Sequence, residues 1–119
     1  MTYRSFEELE VWKRSCTLAV RIYYLMKECR DYAFKDQMIR AALSIASNIA
    51  EGAERDSKAE FIRFLNIAKG LAAELRTQLY IAAQAGIIHN DEAEELIRET
   101  KELSSMMHGL IKSIKKSVK

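Results

Sequence analysis

Few side chains in this sequence are of types that do chemistry, and their spacing argues against each in turn. The two histidines are His89, in a stretch that reads as a loop, and His108, beside a run of aliphatic residues. Helical bundles that hold paired iron or manganese ions use Glu-x-x-His pairs on inward faces. No Glu-x-x-His occurs here. His89 with Asp91 and Glu92 is better explained as a solvated cap than as a metal cluster, since the spacing matches no ligand pattern. Cys16 and Cys29 fall within one expected helix, too far apart on a straight rod to form a disulfide, and no Cys-x-x-Cys motif exists. They are expected to be free, buried thiols. Neither a phosphate-cradling glycine loop nor a Gly-x-Ser-x-Gly elbow is present. The residues therefore point to no catalysis, no metal and no cofactor.

Binding chemistry remains. Arg40, Arg55 and Arg63 lie in or near the second and third expected helices, and Lys112, Lys115, Lys116 and Lys119 load the end of the fourth. These cations could contact phosphates. Tyr24, Tyr32 and Tyr80 could stack on bases if exposed. The plainer explanation is that the lysines complement a helix C-terminus and the arginines solvate a face. Asn48 and Glu51 either pair locally or line a subunit contact. Glu74, within an apolar run, would need a partner such as Arg40 or Arg63 if buried.

The chain around these residues has 119 amino acids, 49% hydrophobic and 30% charged, with a formal net charge of +2. That composition suits one soluble domain. The charge is too even to imply a nucleic-acid partner by itself, and the small basic excess lies in the second half. The opening residues lack the apolar stretch of a signal peptide, and no run approaches the length of a membrane span. A cytoplasmic protein with no membrane contact is expected.

Proline is absent, and apolar residues recur at helical spacing with no period-two run. Four helices are expected, at about residues 7–29, 34–51, 58–85 and 91–116, with Ser5 capping the first. Gly52 and Gly86 read as helix stops. Ser57 with Glu60 reads as a capping box for the third helix, and Asp91 with Glu94 for the fourth, Asn90 competing. Short connections make neighbours antiparallel. The fold class is all-α, an up-down-up-down four-helix bundle.

The first helix carries two apolar stripes. Leu9, Trp12, Cys16, Ala19, Val20, Tyr23 and Met26 form the one expected to face the core. Val11, Leu18, Ile22 and Leu25 form a second, roughly opposite, with Lys13, Arg14 and Arg21 in a polar seam. Such a stripe is unusual on a monomer's surface, so these four are the expected oligomer interface; the simpler alternative is that this helix is the most buried.

Residues 37–52, Gln-Met-Ile-Arg-Ala-Ala-Leu-Ser-Ile-Ala-Ser-Asn-Ile-Ala-Glu-Gly, followed by Arg55, Ser57, Glu60-Phe61, Arg63-Phe64-Leu65, Gly70, Glu74-Leu75 and Thr77-Gln78-Leu79, resemble the bacterial four-helix-bundle proteins encoded by intervening sequences in 23S rRNA genes. Phe6, Leu9, Val11-Trp12 and Ile22-Tyr23 resemble that family's opening helix. The chain departs from the family where Ile39-Arg40 replaces paired arginines, where Ala46 replaces proline, where Leu71 replaces serine and where Cys29-Arg30 replaces Phe-Pro. The resemblance implies a homo-oligomer, a pentameric ring. It also extends to the accessory protein of diversity-generating retroelements, which binds a reverse transcriptase and nucleic acid. The expected role is a non-enzymatic oligomer binding RNA or a ribonucleoprotein partner through basic residues. The alternative is a protein-binding or scaffolding oligomer with no nucleic-acid role.

Overall fold

The computed structural model describes residues 5–117. After a short 3-10 turn at Phe6–Glu8 come α1 (Glu10–Met26), α2 (Tyr32–Ala53), α3 (Lys58–Gln84) and α4 (Asn90–Lys116). The described residues contain no strand. The helices pack antiparallel in chain order, and α1 closes the bundle against α4 through the slightest of the four contacts. The result is a rod about 49 Å long.

Each helix end has a local cause. Asp31 caps α2 by accepting the Phe34 N–H at 3.2 Å, so α2 starts two residues before the expected 34. Ser57 accepts the Glu60 N–H at 3.1 Å and starts α3. Gly86, at φ 77°, ends α3: its N–H reaches the Ala83 carbonyl, and the Ile87 N–H reaches Ala82 at 2.8 Å. A left-handed residue that ties up two terminal carbonyls is the Schellman ending, and glycine enters it without strain. The start of α4 is one residue earlier than expected. His89 occupies the cap position, and its N–H donates to the Glu92 carboxylate at 3.3 Å.

Two expectations need correction. Gly52 does not stop α2, which runs on to Ala53. Its role is close approach: a Cβ there would lie 2.6 Å from the Cβ of Phe64, so only glycine lets α2 and α3 meet at this point. The first helix is also shorter than residues 7–29. Leu9 adopts extended angles between the 3-10 turn and α1, and the helix ends at Met26.

The core is built from all four helices. Ile22, Met26, Met38, Ile45, Ile49, Leu65, Leu75, Leu79, Leu103 and Met107 are fully buried. Full burial of one such side chain favours folding by about 1.5–3 kcal/mol. The buried hydroxyls of Ser15 and Thr100 bond to carbonyls of their own helices, so neither is left unpaired. Glu74 is exposed and needs no counter-charge.

The faces of α1 are largely the reverse of those expected, although Ala19 and Met26 do lie in the core as expected. Val11, Leu18 and Ile22 are 4%, 1% and 0% exposed, and Leu25 packs partly against the same core. These are not outward residues. Trp12, Cys16, Val20 and Tyr23 instead lie along the outer edge facing α2. At about 100° per residue the stripes stand nearer a third of a turn apart than half. The slim aliphatic stripe fits the interior, and the stripe with aromatic rings and polar tips fits the rim.

Candidate interaction surfaces

A broad apolar surface lies between α1 and α2. Trp12, Cys16, Val20 and Tyr23 from α1 face Ile39, Leu43, Ala46 and Ala50 from α2 across a groove of about 710 Å³. Val20 and Leu43 are each 55% exposed. The 3-10 turn folds Phe6 edge-on against Trp12, ring centres 5.1 Å apart, and so closes one end of the groove. Cys16 and Cys29 are free, as expected, but only half-buried. Burial pushes the Cys16 thiol up from its ordinary range.

The other edge of α1 is polar. Arg14 makes a two-pronged contact with the Glu99 carboxylate, at 2.8 and 3.1 Å, and reaches the Met106 sulfur. The hydrogen bond to Glu99 holds the Arg14 guanidinium protonated even more firmly than usual. Arg21 pairs with Glu95 at 3.1 Å.

The expected phosphate-contacting residues do not fall in one place. Arg55, in the α2–α3 turn, and Arg63, in the second turn of α3, both stack on Phe64, their guanidinium carbons 4.9 and 5.0 Å from its ring centre. Arg55 also pairs with Glu51 at 3.1 Å. A small cleft lined by Arg55, Ser57, Lys58 and Ile114 puts the end of α4 beside this turn, with Lys58 bonding the Ser117 carbonyl. Lys112, Lys115 and Lys116 are exposed near that end, while Lys119 lies outside the described residues. Arg40 stands apart, exposed in the first half of α2 and about 20 Å along the helix from its end. Asn48 bonds the Ser44 carbonyl at 2.8 Å, and Glu51 pairs with Arg55 just beyond the end of α2, so both pair locally.

Tyr24, Tyr32 and Tyr80 are exposed, but they sit at the opposite end of the rod from the Arg55–Arg63 pair. His89 is exposed at its cap and His108 on α4. Among the described residues no group of His, Cys, Asp and Glu could hold a metal ion. No described helix is long and apolar enough to cross a membrane.

Sequence reasoning missed the groove and the Arg–Phe–Arg stack. Trp12 and Tyr23 in a single α1 stripe were the available signal, because such rings are enriched at interfaces.

An all-α bundle with an open apolar seam and a mixed-charge surface defines an architecture that can serve assembly. The sequence narrows it further. Residues 7–109 match the family of 23S rRNA-intervening sequence proteins, and the chain belongs to that family. It is also similar to a crystallised protein of unknown function from the S23 ribosomal protein family of Bacteroides thetaiotaomicron. The two share 29% identity at a TM-score of 0.80, over 86% of this chain and 98% of that one. No curated protein matches the chain.

Proposed function

We propose that this chain is a non-enzymatic helical bundle that assembles with copies of itself and offers its basic end to RNA or a ribonucleoprotein partner. The α1–α2 groove carries the reading. An apolar channel of about 710 Å³, with Val20 and Leu43 more than half exposed, is a surface that self-association would cover. The family resemblance implies a ring of five.

The basic end supports the RNA part. Arg55 and Arg63 are held on Phe64, and although one Arg55 nitrogen pairs with Glu51, stacking leaves the edge of the exposed Arg63 guanidinium to meet a phosphate. Membership of the family of 23S rRNA-intervening sequence proteins supports the same reading. A scaffolding role without RNA draws support from the acidic residues Glu51, Glu54, Asp56 and Glu60 interspersed at the same end.

Light scattering coupled to size exclusion tests the assembly. A mass several times 13.7 kDa is expected, falling to that value in the Val20→Glu, Leu43→Glu variant. A wild-type mass of 13.7 kDa would remove the reading. For RNA, affinity for a structured rRNA fragment should fall steeply with salt. It should also fall when Arg55, Arg63, Lys112, Lys115 and Lys116 are changed to Gln. Salt-independent or unchanged binding would leave the scaffolding role.

A further inference from the structure

The end of the rod farthest from Arg55 and Arg63 presents a different surface. Tyr24 at the close of α1 and Tyr32 at the start of α2 are 64% and 66% exposed, more open than any other large apolar side chain described. Tyr23 meets Tyr24 edge-on at 5.4 Å between ring centres, which fixes the plane of Tyr24. The Lys27 ammonium lies 5.6 Å from the Tyr24 ring centre and the Lys35 ammonium 5.6 Å from that of Tyr32. Lys35 also donates to the Lys27 carbonyl at 3.2 Å, so the two ring–lysine pairs form one patch rather than two scattered ones. Asp31, between them, is engaged as the α2 cap.

Beside Tyr24 opens a cleft of about 450 Å³ that runs to the α3–α4 turn and is lined by Gly86, His89, Asn90 and Glu92. It is more polar than the α1–α2 groove and supplies both donors and acceptors next to an exposed ring.

We propose that this end binds an unpaired stretch of nucleic acid, with bases stacked on Tyr24 and Tyr32, phosphates met by Lys27 and Lys35, and one base edge in the cleft beside His89 and Asn90. Open aromatic rings interleaved with ammonium groups are the surface that single strands use, because every unstacked base has a face to offer. A duplex offers none along its length. The site stands apart from the basic end, and neither requires the other.

The test is fluorescence anisotropy on the whole protein, with labelled oligouridylate and oligothymidylate of about 12 nucleotides and a duplex of equal length. Tighter binding of either single strand than of the duplex is expected. Tyr24→Ala and Tyr32→Ala should each weaken it about tenfold, while Tyr24→Phe, which keeps the ring, should bind like wild type. The proposal is overturned if the duplex binds better, if the double alanine variant binds as wild type, or if that variant changes the solution mass, which would make the patch a contact between copies. The Lys112, Lys115, Lys116→Gln variant separates the two sites. Loss of single-strand binding there, with none from the tyrosine changes, overturns this proposal and leaves the basic end standing. Loss from the tyrosine changes alone supports this proposal and leaves the basic end to its own test on structured RNA.

Discussion

The two edges of α1 meet their neighbours by different means. Against α4 the seam is closed over the core by Arg14–Glu99 and Arg21–Glu95, whose charged ends stay partly in water. Against α2 the described residues that line the seam are nearly all apolar. Trp12, Cys16, Val20 and Tyr23 face Ile39 and Leu43 across an open channel. A monomer that had to keep both edges wet could have placed long charged side chains over both, since their stems cover apolar surface while their heads remain solvated. One edge of this helix is finished for water and the other is not. That difference, more than the amount of exposed apolar surface, marks the α2 side as the one to be covered.

The largest expected effect separates the inner stripe from the outer one. In a Leu43→Glu background, Ile22→Ala should cost about 2–5 kcal/mol of stability, because it removes a fully buried side chain and leaves a cavity. Val20→Ala, 55% exposed in wild type, should change stability by no more than about 0.5 kcal/mol. Urea unfolding measures both. Equal costs would mean that α1 is rotated from the position described and that the comparison of its edges fails.

A seam on the other side of α2 sharpens the contrast. There α2 and α3 approach so closely that Gly52 admits no Cβ: the atom would lie 2.6 Å from the Phe64 Cβ. Gly52→Ala should destabilise by about 1–3 kcal/mol through overpacking, despite alanine's better helix propensity. A stabilised variant would show that the α2–α3 contact yields.

How much of this could be read from the residues depends on how local the cause is. The ends of α3 lie within one residue of those expected, because Ser57 and Gly86 act on amides and carbonyls beside them. Gly52 carries a similar local signal but answers one from the facing helix, the Phe64 side chain. The orientation of α1 was less legible still. Both stripes have helical spacing and similar apolar content, and what decides between them is the fit of the slimmer stripe to the core built by the other helices, which also brings Arg14 and Arg21 opposite Glu99 and Glu95, more than 70 residues away. The Arg55–Phe64–Arg63 stack likewise exists only once the α2–α3 turn folds. Residue types nominated seven cations, and only the fold could separate Arg40 from that pair.

The closed edge itself predicts a smaller effect. A double-mutant cycle on Arg14→Ala and Glu99→Ala should give a coupling of about 1 kcal/mol, at the upper end for partly exposed pairs because the contact is two-pronged. The coupling should shrink as salt is raised. If it is absent, the ion pairs do not close the seam, and the two edges differ in residue type alone.

Cys16 offers the finest probe, since it lies in the groove and reports on whether the open edge is covered. Burial raises its thiol pKa, so at pH 8 less of it is thiolate than in the unfolded chain. The sign for stability follows: the contribution is fully present below the unfolded thiol's range and is lost as pH climbs through the raised value. In a Cys29→Ser background, iodoacetamide should therefore modify Cys16 several-fold more slowly in the native protein than in urea, by rough analogy with other buried thiols. Two causes contribute to that slowing, and Leu43→Glu separates them. Desolvation by the chain's own helices survives the change, whereas cover by a second copy does not. Faster modification in the Leu43→Glu variant would mean that another chain lies over the groove in solution. Equal rates would mean that α1 and α2 alone protect the thiol and that the unsealed edge stays open.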